Sequence, residues 1–207
     1  NKVIEADLGN TGKISGLAQQ TDFYRDVVKN VDGKVFVIIS DAMRYDVAHS
    51  LAKQLEIETK ADVEISAQQG IYPTITKYGM AALLPHKTLE AVENNGTTKV
   101  LVDGHPSEMS NRDGILKSYS ENSVALKYKD IISMKRDDRR AAVKGKDIIY
   151  IYHDTIDASS HNDENSVFDA CDKAINEIKN LVNVICNELQ GLSLIHISEP
   201  TRPEPIS

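Results

Sequence analysis

The sequence contains no apolar run near the roughly 18 residues that a membrane-spanning helix needs, so we predict no membrane span. Cysteine is scarce: Cys171 and Cys186 lie about 22 Å apart along one predicted helix, which is too far for a disulfide. We interpret both as reduced core thiols of a cytosolic protein. Positive charge is also in deficit, with a formal net charge of -7, which argues against a dedicated nucleic-acid binder. Nucleic acid stays possible as a substrate.

The 207 residues are enough for one α/β domain with its own core. Two short apolar runs, at 35–39 and 148–152, are typical of strands buried on both faces of a parallel sheet. We predict further strands at 62–66 and 100–102, and helices at 16–30, after Asp41, at 77–84, within 110–146 and at 167–189. Strands that alternate with helices predict a doubly wound, mostly parallel sheet.

Ligands of such sheets bind beyond the carboxyl ends of the strands, and two acidic segments follow strand ends here. Asp41 comes directly after the first apolar strand, where it is either a metal ligand or a helix N-cap. Asp157 and His161 form a D-x-x-x-H pattern after the strand at 148–152. A carboxylate and an imidazole suit zinc or manganese better than magnesium, although the segment is equally readable as a polar loop.

Two hydroxyls precede the predicted helix at 77–84. Thr74 and Thr76 are candidates for a phosphate-binding site at the start of this helix or, with a metal bound, for a nucleophile. The alternative is that either threonine simply caps the helix.

The order of these features resembles the alkaline phosphatase superfamily, and within it the PglZ family. Four blocks carry the resemblance: SDAMRYD (40–46), YPTITKYGMAALLPHK (72–87), NRDGIL (111–116) and DIIYIYHDTID (147–157). The resemblance implies an alkaline-phosphatase-like sheet and two divalent cations, with zinc or manganese favoured and magnesium possible. It also implies a cytoplasmic bacterial parent protein that acts on a phosphoester beside other BREX phage-defence proteins.

The resemblance also implies roles for single residues. Asp41, Asp157 and His161 resemble the family's metal ligands, and Thr76 resembles the nucleophile, with Thr74 as the runner-up. Arg44 and Lys77 are candidates for binding phosphate oxygens, although Arg44 is as readily explained by a surface ion pair with Asp46.

The superfamily's further A-D-H-G segment and later histidine are not found in this sequence. Residues 192–202, LSLIHISEPTR, resemble the translation of a common sequencing adapter. We therefore predict a linker or helix of an upstream region at 1–30, a partial domain at 31–191 whose sheet is incomplete on its C-terminal side, and a non-native tail at 192–207. The fragment is expected to be inactive.

We weigh two other functions. The parent protein is alternatively a non-catalytic scaffold or regulatory subunit of a defence complex. A sister activity of the superfamily, such as a sulfatase or a mutase, is disfavoured, because sulfatases of this superfamily carry a modified cysteine or serine where this sequence has threonine.

Overall fold

The computed structural model describes residues 12–59, 62–94, 96–159, 164–189 and 194–198. The strands are β1 (Ala18–Gln19), β2 (Val35–Ser40), β3 (Gln68–Gln69), β4 (Leu89–Asn94), β5 (Thr97–Val102), β6 (His105–Pro106), β7 (Ser123–Lys127), β8 (Ile148–His153) and β9 (Leu194–Ser198). The α-helices are α1 (Tyr45–Glu58), α2 (Thr76–Ala82), α3 (Met109–Tyr119), α4 (Tyr128–Ser133), α5 (Arg136–Val143), α6 (Thr155–Ser159) and α7 (Glu164–Glu188). A 3-10 helix, Gln20–Asp22, and a π-helix, Tyr24–Val28, precede β2.

A parallel four-stranded sheet forms the centre of the fold, with the order β7-β8-β2-β9. β2 and β8 are buried along their whole length, which confirms the two apolar runs as strands covered on both faces. Phe36 and Ile38 pack with α1, α4, α5 and α7. Val37 and Ile39 point to the opposite face and pack with the π-helix, α2, α3 and β5. The mixed α/β class and the mostly parallel central sheet are as predicted.

Two helices follow their predicted apolar stripes. Val47, Leu51 and Leu55 of α1 are buried against the sheet. α7 buries a longer stripe on the same face, and each fully buried large aliphatic side chain there contributes about 1.5–3 kcal/mol. The buried members of that stripe are Ala170, Ala174, Ile175, Ile178, Leu181, Val182 and Ile185.

Several predicted elements are wrong. Residues 62–66 form no strand: most of this segment is exposed, and although Val63 packs against the core, Ile65 is exposed. The single helix predicted at 16–30 is wrong, because this segment forms β1 and the two short helices. β1 pairs with β3, and the Gln19 side-chain amide donates a hydrogen bond to the side-chain oxygen of Gln69. The strand predicted at 100–102 is confirmed within β5, but its antiparallel pairing with β4 and β6 was not predicted, nor was the strand β7.

Two smaller interpretations also change. Neither cysteine is in a disulfide, as predicted, but Cys186 is exposed and only Cys171 packs against the core. The charged stretch 135–140 is not wholly a solvated surface, because Arg139 forms a 2.7 Å ion pair with Glu188 at the end of α7. Among the described helices, none combines the length and apolar character that a membrane crossing requires.

The segment 194–198, for which no element was predicted, forms β9 in parallel register with β2. Its apolar, β-branched residues give it the composition of a strand. The domain boundaries at residues 30 and 191 and the non-native origin of 192–207 stay predictions.

Candidate active site at the carboxyl edge of the sheet

Asp41 lies where β2 ends. Its backbone N–H donates to the carbonyl of His153 at 2.8 Å, which adds one more rung to the β2–β8 ladder. The next residue, Ala42, has a φ of 60°, a left-handed conformation that costs a non-glycine residue about 1–2 kcal/mol. This turn lets the Ala42 N–H bond the Asp41 carboxylate, which is only 7% exposed. The chain is therefore bent sharply around a buried acid.

The hydroxyl of Thr76 reaches this acid. Thr76 Oγ1 donates to Asp41 Oδ1 at 3.3 Å, across 35 residues of sequence. Ile75 occupies the N-cap position of α2, and no side chain caps that helix. Arg44 occupies the same position of α1, again without a side-chain cap. The capping alternatives for Asp41, Thr74 and Thr76 are therefore wrong.

A second carboxylate adds to the electrostatics of Asp41. Burial raises the pKa of Asp41, and the charge of Asp157, in α6, raises it further. The hydrogen bonds from Thr76 and from the Ala42 N–H, together with the charge of Arg112, lower the pKa in part, and the result is a pKa of about 6. A buried acid whose pKa is raised by burial and by a neighbouring carboxylate is a typical sign of a functional site.

The donor set fits a hard divalent cation, because Asp41, Asp157 and Thr76 all present oxygen. A cation would also offset the unfavourable burial of the Asp41 charge. In the part of the chain that the structure describes, no group of three or more His, Cys, Asp and Glu side chains is assembled. His161 lies outside the described residues, so the predicted Asp157–His161 pair, and with it the preference for zinc or manganese, stays a prediction.

Arg44 and Lys77, the predicted phosphate-binding cations, each contact another group of the chain. Arg44 forms an exposed ion pair with Asp46 at 3.2 Å, which confirms the alternative predicted for this side chain. Lys77 Nζ donates to the carbonyl of Thr98 at 3.0 Å, which ties its ammonium group to β5. A phosphate-binding role for Arg44 and Lys77 stays a prediction.

Arg112 is the cation whose charge acts on Asp41, and it was given no role from the sequence. Its guanidinium carbon lies 4.4 Å from the centre of the Tyr152 ring, near the end of β8. Arg112 falls inside the NRDGIL block, which is the signal that could have singled it out.

A buried hydrogen-bond network supports the strand ends behind Asp41. His153 Nδ1 lies 3.0 Å from Ser40 Oγ, and its Nε2 lies 2.9 Å from Glu177 Oε2. Thr155 Oγ1 donates to the same Glu177 oxygen at 2.5 Å. Burial lowers the pKa of His153, although Glu177 partly opposes this, so the ring is neutral at pH 7. Because a carboxylate only accepts, Nε2 carries the proton and Ser40 donates to Nδ1.

A parallel α/β core with two carboxylates and a hydroxyl at one strand-end edge is consistent with the alkaline-phosphatase-like class of proteins. Residues 22–199 match the family described as "BREX system PglZ alkaline phosphatase-like domain". The chain belongs to this PglZ family.

Two curated relatives agree with this assignment. The chain is 40% identical over 200 residues to "Alkaline phosphatase-like protein BrxZ" of Escherichia coli O9:H4 (strain HS), covering 92% of the chain and 23% of the relative. It is 39% identical over 198 residues to "Alkaline phosphatase-like protein PglZ" of Bacillus cereus (strain H3081.97), covering 93% of the chain and 23% of the relative. The chain thus spans about a quarter of the length of these relatives.

Proposed function

We propose that this domain belongs to the core of a metal-dependent hydrolase, a phosphatase or phosphodiesterase, that serves in bacterial phage defence. The observation that carries the proposal is the hydrogen bond from Thr76 to buried Asp41, beside the charge of Asp157. Membership of the PglZ family supports other BREX proteins as partners. A cytoplasmic location and a phosphoester substrate belong to the same proposal.

Each residue then has a distinct role. Asp41, Asp157 and His161 would hold the divalent cations, which supply Lewis-acid stabilisation of the phosphoryl oxygens when bound. Asp41 also orients Thr76, because the 3.3 Å hydrogen bond fixes the hydroxyl at the edge of the sheet. Thr76 Oγ1 forms the new bond to phosphorus as the bond to the ester oxygen breaks, and the hydroxyl proton is balanced by protonation of the leaving alcohol. Hydrolysis of the phosphothreonine by water completes the turnover.

The experiment compares threonine variants of the longer parent protein, with 4-nitrophenyl phosphate as substrate and zinc or manganese supplied. We expect Thr76→Ala to lower turnover by about a hundredfold or more, because it removes the attacking atom. Thr74→Ala is the matched control, with an expected change of less than about threefold. Mass spectrometry of acid-quenched protein should find phosphate on Thr76.

The 207-residue chain alone should not turn over this substrate, because it lacks the A-D-H-G segment of the superfamily. A large loss in Thr74→Ala with none in Thr76→Ala would move the nucleophile to Thr74. Equal and unchanged turnover in both variants, or a parent protein without any metal-dependent turnover, would favour the non-catalytic scaffold instead.

A further inference from the structure

The loop that joins β3 to α2 is fastened at its start by a cluster of glutamines. Gln19 of β1, Gln20 of the 3-10 helix and Gln69 of β3 make up this glutamine clasp. The side-chain oxygen of Gln69 accepts from the Ile14 N–H at 2.6 Å and from Gln19 Nε2 at 3.1 Å. Gln69 Nε2 donates to the carbonyl of Gly12 at 2.8 Å. Both ends of one side-chain amide therefore bind a segment that lies 50 or more residues earlier in the chain.

Gln20 connects the glutamine clasp to the loop itself. Its side chain is only 2% exposed, and its Oε1 accepts from the backbone N–H of Ile71 at 3.1 Å. A buried amide is costly unless it is hydrogen-bonded, so the fold favours keeping this contact. The 3-10 helix that carries Gln20 contacts α2, and Phe23, directly after it, lies in the same buried cluster as Met80 of α2. The Gln20 oxygen is thus a point fixed to the core, from which the loop extends.

The loop passes directly into the helix that carries Thr76. Tyr72 is 90% exposed, so its ring does little to hold the loop in place. The Ile75 N–H donates to the carbonyl of Pro73 at 2.8 Å, and the Ile75 carbonyl accepts from the Tyr78 N–H at 2.9 Å. These bonds couple the end of the loop to the first turn of α2. A shift at the start of the loop is therefore passed on to Thr76, whose hydroxyl donates to the buried acid at the end of β2.

We infer that the glutamine clasp positions Thr76 for attack on phosphorus, with Gln20 as the positioning residue. This inference rests on the proposed function. An attacking atom has to lie about 3–3.5 Å from the reacting atom, and a misplacement of about 1 Å caused by a remote change lowers the rate by up to about a hundredfold. Because Gln20 acts through the Ile71 N–H and not on the substrate, its loss should change the reactivity of the bound substrate and not its affinity.

The first test is steady-state kinetics of the parent protein with 4-nitrophenyl phosphate and manganese. Gln20→Met keeps the length of the side chain and removes the acceptor. We expect it to lower kcat by about 10- to 100-fold and to change KM by less than about twofold. Gln54→Met is the matched control, because Gln54 of α1 likewise accepts through its side-chain oxygen, from Lys179 Nζ at 3.0 Å, and its kcat should equal that of the wild type.

Hydrogen exchange of the 207-residue chain is a second readout that needs no turnover. The N–H groups of Ile75 and Tyr78 lie beyond the hydrogen bond that Gln20→Met removes, and we expect them to exchange at least about fivefold faster in this variant. The N–H groups of β2 should keep their wild-type rates. A merely structural role would instead lower the thermal stability, speed exchange in β2 as well and leave the kcat of the folded protein unchanged.

The two readouts separate this inference from the proposed function. If the parent protein turns over the substrate and Gln20→Met has the wild-type kcat, the positioning role is overturned and the proposed function stands. If the parent protein shows no metal-dependent turnover, the proposed function fails, and exchange alone decides whether the glutamine clasp holds the segment of Thr76. Unchanged exchange at Ile75 and Tyr78 overturns the inference in either case. If Gln20→Met does not fold, Gln69→Met decides: a lower kcat at constant KM supports the inference, and an unchanged kcat overturns it.

Discussion

The buried acid at the end of β2, Asp41, lowers the stability of the fold at a position that the candidate site requires. Asp41 is 7% exposed, follows a buried strand and is further destabilised in its charged form by Asp157. A residue chosen for stability alone would not place a carboxylate there, since burying a charge is costly unless it is compensated. The left-handed Ala42 adds backbone strain at the same point. Such conflicts cluster at functional sites.

Replacing this acid by its neutral isostere should therefore stabilise the metal-free chain. The pKa of Asp41 is raised from 3.8 to about 6, so the folded state binds more protons than the unfolded state between these values. The charge thus lowers stability as pH rises through this window. We expect Asp41→Asn to gain about 1–2 kcal/mol at pH 7.5 and almost nothing at pH 4, measured by urea denaturation.

Asp46→Asn provides the control for that substitution, because Asp46 lies in an exposed ion pair and should change stability by no more than about 0.5 kcal/mol. A loss of stability in Asp41→Asn at pH 7.5 would contradict this account of Asp41.

Strands β2 and β8 meet helices α6 and α7 at the network behind the site. Glu177 of α7 accepts hydrogen bonds from His153 at the end of β8 and from Thr155 of α6. Since Ser40 contacts the other ring nitrogen, one carboxylate on a helix fixes the ends of both central strands. Tyr128 closes the network by packing edge-on against the imidazole at 4.9 Å.

Removing this carboxylate should destabilise the fold. Glu177→Ala leaves the buried N–H of His153 without its partner, for an expected loss of about 2–3 kcal/mol in chemical denaturation. Glu177→Gln is the matched control, because its amide oxygen still accepts and less than half of that loss is expected. Equal losses in both variants would show that the negative charge, rather than the acceptor, is what matters.

The pH dependence of the same pair follows from His153. Its pKa is lowered in the fold, so the unfolded state binds more protons below about pH 6.5 and stability falls with falling pH there. Because Glu177 partly holds the pKa of His153 up, the fall should extend to lower pH in Glu177→Ala.

The elements that were predictable are those whose pattern is complete within a few residues. β2 and β8 are continuous apolar runs, and α1 and α7 carry stripes of helical period. β7 has the sequence SVALK and is only partly buried, so its role as an edge of the sheet arises from pairing with β8.

The candidate site likewise contains residues that were predictable from the sequence and residues that were not. Asp41 was found because it directly follows a recognisable strand, and its meeting with Thr76 confirms that the two segments share one edge. The position of Arg112 depends on packing against Met80, Met109 and Tyr152, and only Met109 is near Arg112 in sequence. No local pattern encodes such a contact.

At the scale of the molecule, both faces of a parallel sheet are covered and the candidate site lies at one edge of it. The described elements account for Asp41, Thr76 and Asp157 at that edge, and the PglZ family match covers residues 22–199. The curated relatives are about four times as long as the matched region, so the reaction, its substrate and its partners belong to the proposal for the parent protein.

Metal titration of the 207-residue chain tests the central claim most directly. We expect manganese and zinc to bind, and Asp41→Ala and Asp157→Ala each to weaken that binding by at least about tenfold, because each removes a carboxylate ligand. Asp46→Ala should bind like the wild type, since Asp46 pairs with Arg44 on the surface. Equal metal affinity in the wild type, Asp41→Ala and Asp157→Ala would contradict a cation site at this edge of the sheet.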